Sequence, residues 1–97
     1  MSSAPTWSIV APVFREGRVI DGWLAGLAAL EGIDRSEVII VDGDEGSTIE
    51  AVRPVHGFPI RTEVTPPGRG LQLHAGALRA GGTYLVFAHV DTTLPRC

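Results

Sequence analysis

Short apolar runs alternate with segments of helical periodicity along the chain. Residues 7–14 (WSIVAPVF) form a partly β-branched apolar run that predicts a buried strand, and Pro12 is expected at its end or at a sheet edge. Segment 17–31 has apolar side chains at helical spacing and is followed by Gly32, a typical helix C-cap. The apolar positions of this predicted helix are Ile20, Trp23, Leu24, Leu27 and Leu30.

Two more strands are predicted in the middle of the chain. Residues 37–42 (EVIIVD) contain an unbroken apolar run, which is typical of a parallel strand covered on both faces. Ser47 and Glu50 have the spacing of a capping box and predict a short helix that ends near Pro54. Residues 60–65 alternate in polarity, and their charged side chains need water on one face, so this strand is expected near a sheet edge.

The last predicted elements are a helix at residues 69–80 and a strand at residues 83–88 (TYLVFA). The apolar side of this helix is expected to carry Leu71, Ala75 and Leu78. Strands that alternate with helices indicate an α/β domain, with a Rossmann-like parallel sheet of about four strands between two helical layers. Ligands of such sheets bind beyond the carboxyl ends of the strands. The segments to inspect are therefore 12–17, 42–47 and 89–93.

Composition and charge narrow the classes of function. The chain has 97 residues, enough for one domain, and its net charge is −3. Its basic residues are all arginines and form no continuous stripe, so binding to extended nucleic acid is not expected. The single cysteine, Cys97, cannot form an internal disulfide. Neither a signal peptide nor an apolar run near 20 residues is recognisable, so a cytoplasmic protein without a membrane segment is expected.

Two aspartates, Asp42 and Asp91, each follow an apolar strand. A parallel sheet brings such strand ends to one rim, where carboxylates can hold a divalent cation carrying a diphosphate or hydrogen-bond to a base or ribose. Acidic residues after strands also serve as helix caps and turn formers. The pattern alone leaves both interpretations open and favours the second.

Four ordered segments resemble family 2 glycosyltransferases, which have the GT-A fold. Residues 9–16 (IVAPVFRE) are similar to the opening strand and its P-x-x-N-E turn, and residues 38–48 (VIIVDGDEGST) to the VDGGSTDGT stretch. Residues 67–76 (PGRGLQLHAG) resemble a GRxxQxNAG segment of one bacterial subset, and residues 85–95 (LVFAHVDTTLP) its FLHADTxLP segment, the counterpart of the D-x-D metal motif. The resemblance covers almost the whole chain.

The resemblance implies a site for a nucleotide-diphosphate sugar. Pro12 and Glu16 would shape the nucleoside pocket, and Asp42 would contact the base. Asp91 would hold a divalent metal, Mn or Mg, under the diphosphate, with His89 as a second ligand. A further implied contact comes from Arg69, whose planar guanidinium suits a phosphate and whose neighbouring glycines allow close approach.

This sequence departs from the family pattern at several positions. Arg15 replaces the usual asparagine, Asp44 and Glu45 make the second segment more acidic, and His74 stands where asparagine is usual. His74 is expected to be a surface or core residue rather than a ligand. In the family the acceptor-binding half and the general base lie after the metal motif. The resemblance therefore identifies no residue of this chain as the catalytic base. A complete site is expected to need a homo-oligomer or a partner chain, paired through an exposed strand edge.

Two other functions remain open. The chain can be a non-catalytic assembly module derived from a glycosyltransferase, in which the altered 42–48 loop has lost its ligand. Alternatively, Asp42 and Asp44 after an apolar strand are the paired aspartates of a haloacid-dehalogenase-like phosphatase. The phosphatase motif prefers Thr or Val where this chain has Gly46, which makes this alternative the weaker one.

Overall fold

The computed structural model describes residues 5–30, 33–52 and 57–90, which form one α/β unit. Its strands are β1 (Trp7–Val13), β2 (Ser36–Asp42), β3 (Ile60–Val64) and β4 (Tyr84–Phe87). Its helices are α1 (Ile20–Ala28) and α2 (Arg69–Arg79), with short 3₁₀ turns at Ile33–Arg35 and Ile49–Ala51. Neither α-helix is long and apolar enough to cross a membrane, within the residues described.

The four strands form one parallel sheet in the order β3-β2-β1-β4. The predicted α/β class and the parallel sheet are therefore confirmed. β2 is buried along its whole length, as its unbroken apolar run indicates, because the sheet centre is covered on both faces. β3 lies at one edge, where Arg61 reaches solvent, so its predicted edge position is also confirmed.

Helix α1 packs on one face of the sheet through the predicted side chains. Ile20, Trp23, Leu24 and Leu27 are buried in a cluster with apolar residues of β1 and β2. The helix begins at Ile20, three residues later than predicted, since residues 17–19 form a turn. Leu30 follows the helix and is half exposed, so its predicted place on the buried face is wrong. Gly32 lies outside the described residues.

Helix α2 covers the opposite face, but not with the predicted side. Leu71 and Leu78 are exposed, whereas Gln72 and Gly76 are buried against the central strands. A Cβ on Gly76 would overlap Val10 Cγ1, so only glycine lets the helix approach β1 this closely. Ala75 packs against the core as predicted, but the prediction is wrong for Leu71 and Leu78. The small volume of Gly76, rather than hydrophobicity, decides which side of the helix faces the sheet.

A buried carboxylate ties the amino ends of the strands together. Glu37 of β2 accepts hydrogen bonds on Oε2 from Ser8 Oγ and from the Gly81 amide, both at 2.7 Å. Its Oε1 lies 3.4 Å from Arg61 Nε on β3. The Ser8 hydroxyl also accepts a hydrogen bond from the Gly82 amide at 2.8 Å. The bonds of Gly81 and Gly82 therefore fix the backbone just before β4. Glu37 therefore links the edge strand β3 to the segment that leads into β4.

Candidate functional site

The strand order reverses between β1 and β4. The chain runs from β1 outward through β2 to β3 and then crosses back to place β4 on the other side of β1. The connection from β1 leads to α1 on one face, whereas α2, which connects β3 to β4, lies on the opposite face. In open α/β sheets a ligand crevice lies beyond the carboxyl ends of the strands at such a reversal. Residues 14–16 and 88–90 border this position.

Pro12 lies beside the gap at the reversal. Its neighbour two residues earlier, Val10, accepts a hydrogen bond on its carbonyl from the Ala88 amide. Backbone N–H and C=O groups alternate in direction along a strand, so the backbone nitrogen of Pro12 faces the β4 side, as the carbonyl of Val10 does. Pairing between β1 and β4 has already ended there, at Phe87. The missing N–H of Pro12 therefore costs no ladder hydrogen bond. β1 ends at Val13, one residue after Pro12, so the predicted place of Pro12 at the strand end is confirmed, although the strand lies inside the sheet rather than at its edge.

The turn after β1 is held against the loop after β2. Arg15 has a positive φ of 56°, a conformation that is uncommon for a residue with a side chain. Its Nε lies 3.2 Å from Asp44 Oδ2, and its guanidinium lies 5.0 Å from the centroid of the Phe14 ring. The Glu16 amide donates to Thr48 Oγ1 at 2.9 Å. These contacts make the two strand-end loops one rim.

Asp42 organises the loop after β2. Its side chain is fully buried, and Oδ1 accepts the Asp44 amide at 2.7 Å. Oδ2 accepts the amides of Thr48 and Ile49 at 2.7 and 3.2 Å. The predicted capping box is wrong, because Asp42 rather than Ser47 receives the free amides of this turn. The Ser47 hydroxyl instead donates to Asp44 Oδ2 at 3.0 Å.

This geometry gives Asp42 the structural role that was the alternative to ligand contact. Three backbone donors already occupy its two oxygens, and none of its surface is exposed. A nucleoside would reach the carboxylate only if the 43–49 loop opened. The phosphatase alternative faces the same obstacle, since its nucleophile must be accessible.

Gln72 stands at the Q of the GRxxQxNAG segment, but the sequence patterns assigned it no role in the site. Its Nε2 donates to the Val13 carbonyl at 2.9 Å and to the Val41 carbonyl at 2.8 Å. The side chain is buried, so it fixes the first turn of α2 at the carboxyl ends of β1 and β2. Its spacing of four residues from Gly76 was the available signal, because i and i+4 positions share a helix face.

The predicted phosphate contact, Arg69, lies at the start of the same helix. Arg69 is the first residue of α2 and is exposed, one turn before Gln72. Gly68 before it has a φ of 145°, which L side chains rarely adopt, so this position requires glycine. His74 is exposed on the helix, which agrees with its expected surface role. The exposed Arg69 thus lies one helical turn from Gln72, which anchors α2 to the rim.

The predicted metal ligands are described only in part. His89 is exposed directly after β4, and Val90 packs into the core cluster that contains Trp23. Asp91 and Cys97 lie outside the described residues. Within residues 5–30, 33–52 and 57–90, no three His, Cys, Asp or Glu side chains group in a way that could hold a metal ion. With Asp42 occupied by amides, the predicted metal site depends on Asp91 and His89.

An open cavity of about 490 Å³ lies at the opposite, amino end of the strands. Its walls come from residues 5–6, 34–37, 59 and 61. This wall contains the Glu37–Arg61 ion pair, which is already satisfied within the chain. The cavity is therefore separate from the rim at the strand reversal.

No protein-family model matches the chain, and a search of curated proteins finds no match either. The resemblance to family 2 glycosyltransferases accordingly rests on the four sequence segments. The parallel sheet is compatible with it but is shared by many unrelated functions.

Proposed function

We propose that this chain is a glycosyltransferase-like protein that binds a nucleotide-diphosphate sugar at the β1–β4 reversal. The observation that carries the proposal is the reversal itself, bordered by the Pro12–Glu16 turn that also carries the first segment of family resemblance. The proposed reaction is transfer of the sugar to an acceptor hydroxyl. We further propose that a second copy or another chain completes the site, since the described rim contains no assigned general base.

The nucleoside fits best against the turn after β1. The Phe14 ring is 43% exposed and offers an apolar surface for a base, while Arg15 covers part of the same ring. Glu16 stands next in the chain and is partly buried. Asp42 supports this proposal as a positioning residue, because its hydrogen bonds shape the loop to which Arg15 and Glu16 are tied.

The diphosphate fits toward α2 and the end of β4. Arg69 supplies an exposed guanidinium at the start of α2, where the helix dipole also favours negative charge. His89 follows β4 on the other side of the reversal. A Mn or Mg ion bound by Asp91 with His89 would neutralise the phosphates, with phosphate oxygens completing its coordination.

Calorimetric titration with UDP, GDP and their sugars, with and without manganese, tests the proposal. We expect saturable, manganese-dependent binding that Arg69→Ala weakens roughly ten- to hundredfold, because a charge-assisted contact is worth about 1.5–3 kcal/mol. Asp91→Ala should remove the manganese dependence. The matched control is Arg79→Ala, at the far end of the same helix, which should bind like the original chain. Absence of binding at millimolar nucleotide would reject the proposal.

The second candidate is a non-catalytic assembly module. The observation that favours it is β4, a short apolar strand whose four side chains are all exposed at a sheet edge. Under this alternative the chain associates without any effect of nucleotide. The titration therefore discriminates the two candidates, since only the first requires a binding isotherm.

A further inference from the structure

Strand β4 is covered less than any other strand of the described sheet. Its exposed fractions are 54% for Tyr84, 44% for Leu85, 39% for Val86 and 51% for Phe87. Trp7, 42% exposed, extends the apolar surface, since its ring centroid lies 4.8 Å from that of Tyr84. Helix α2 packs on β1 and β2 instead. Within the described residues, both faces of β4 are thus about half exposed, and its outer edge has no partner strand.

The direction of the backbone groups shows which residues can pair with a further strand. The Tyr84 amide donates to the Thr6 carbonyl and the Ala88 amide to the Val10 carbonyl, each at 2.9 Å. Residues 84, 86 and 88 therefore face β1 by strand alternation. Leu85 and Phe87 direct their N–H and C=O groups away from β1, toward the open edge.

We infer that a second copy of this chain pairs with this edge in antiparallel orientation, about a twofold axis at Val86. This register places Leu85 opposite Phe87 of the other copy and Phe87 opposite Leu85 of the other copy, which makes two equivalent pairs. Both residues have outward backbone groups, so each such pair can exchange two hydrogen bonds. The result is four hydrogen bonds and a continuous eight-stranded sheet. This inference makes specific the self-association included in the proposed function and does not require nucleotide binding.

The charge pattern favours a second copy as the partner. β4 contains no charged residue, so pairing with itself brings no like charges together. The twofold arrangement also sets Leu85 beside Phe87 on one face, so apolar side chains meet apolar side chains. β3 differs, because Arg61 and Glu63 blunt that edge with charge. Only β4 offers a long enough uncharged edge within the described residues.

The available area sets the expected strength. The exposed parts of the β4 side chains and Trp7 amount to roughly 450 Å² per copy, about half of the ~800 Å² that a stable complex buries per partner. Such an area suits a reversible dimer rather than an obligate one. We therefore expect dissociation constants in the range of roughly 10 µM to 1 mM.

Sedimentation equilibrium from about 10 µM to about 1 mM measures the association. We expect a reversible monomer–dimer equilibrium that Phe87→Pro weakens at least tenfold, because proline removes an outward N–H without touching the β1 ladder. The matched control is Thr62→Pro on β3. The Thr65 amide donates to the backbone carbonyl of Asp42, so residues 61, 63 and 65 face β2. The backbone N–H of Thr62 therefore faces outward. Thr62→Pro should leave the dimer unchanged.

Amide hydrogen exchange tests the same inference without a substitution. The Leu85 and Phe87 amides should become more protected as concentration rises, while the Thr62 amide should not. Three results in sedimentation overturn the inference: a monomer at every concentration, open-ended aggregation, or a dimer that Thr62→Pro weakens as much as Phe87→Pro does. The fourth is protection of the Leu85 and Phe87 amides that does not change with concentration, since it would mean that another part of the same chain covers the edge. Nucleotide binding by a purely monomeric chain would overturn the dimer alone, whereas a dimer that binds no nucleotide would overturn the donor site alone.

Discussion

The two edges of the sheet, β3 and β4, are exposed to solvent in different ways. β3 alternates in polarity, and its charged side chains form ion pairs with the body of the domain, Arg61 with Glu37 and Glu63 with Arg79. β4 is uncharged and exposes apolar side chains on both faces. Charged edges resist pairing with another strand, and flat apolar edges invite it. This difference is the reason why we propose β4, and not β3, as the edge that pairs with a second copy.

The largest expected effect comes from the residue that links the two edges. Glu37→Ala would leave the Ser8 hydroxyl and the Gly81 amide without their acceptor and would release Arg61 from β2. We expect a loss of roughly 4 kcal/mol in the free energy of unfolding, measured by urea denaturation. Glu63→Ala is the control, since the ion pair between Glu63 and Arg79 is exposed and involves β3 but not β4. Equal losses for both variants would contradict the linking role.

A pair of proline substitutions in β4 separates its inner side from its outer side. Val86→Pro removes an N–H that faces β1, so the free energy of unfolding should fall by roughly 3 kcal/mol. Phe87→Pro removes an outward N–H and should cost less than about 1.5 kcal/mol in the monomer, mostly through lost packing of a half-exposed ring. Urea titration at low protein concentration measures both values. A larger loss for Phe87→Pro would mean that the assigned backbone direction is wrong.

Gln72 provides a reference in the sheet centre, away from both edges. Gln72→Leu would remove both hydrogen bonds of the Gln72 amide group, to the Val13 and Val41 carbonyls, while the Gly43 amide would still donate to the Val13 carbonyl. At about 1 kcal/mol for each lost bond, we expect a loss of roughly 2 kcal/mol in the free energy of unfolding. The exposed His74→Leu on the same helix should change stability by less than about 0.5 kcal/mol. Self-association through β4 should survive Gln72→Leu under conditions where the variant is folded. Loss of the dimer in a folded variant would show that the interface depends on α2.

The smallest effect is expected at the outer face of β3. Arg79→Ala breaks an ion pair with Glu63 whose arginine side chain is 60% exposed. Solvent screens such pairs, so the free energy of unfolding should fall by no more than about 0.5 kcal/mol, and less at high salt. Thermal denaturation at low and high ionic strength measures this. New self-association in Arg79→Ala would show that this ion pair protects the β3 edge, which would sharpen the contrast with β4.

Much of the fold could be predicted from local patterns. The strands of the parallel sheet, the buried face of α1 and the edge position of β3 followed from apolar runs and alternation. Helix α2 was located correctly, but its inward face was not. Periodicity favours the side with Leu71 and Leu78, whereas close approach to Val10 favours the side with Gly76. Hydrophobic pattern carries no information on the distance between two layers.

The rim was predictable in position and less so in the role of each residue. Parallel strands place Asp42 and the Pro12–Glu16 turn at one end of the sheet whatever their side chains do. The sequence left open whether Asp42 contacts a ligand or caps a turn, and its three amide partners assign the second role. Arg15 and Asp44 appeared as departures from a family pattern, yet they meet across the two loops at 3.2 Å.

The sequence by itself determined the order of elements, the parallel sheet and which loops share one end of it, because these depend on local periodicity and chain connectivity. Only the tertiary structure decided which polar side chains are used inside the fold and which remain available to a partner. Hydrogen bonds such as those of Glu37 and Gln72 join residues that are far apart in the chain. The apolar run of β4 reads like that of a covered strand, and only its place beyond the reach of α2 shows that both of its faces are open.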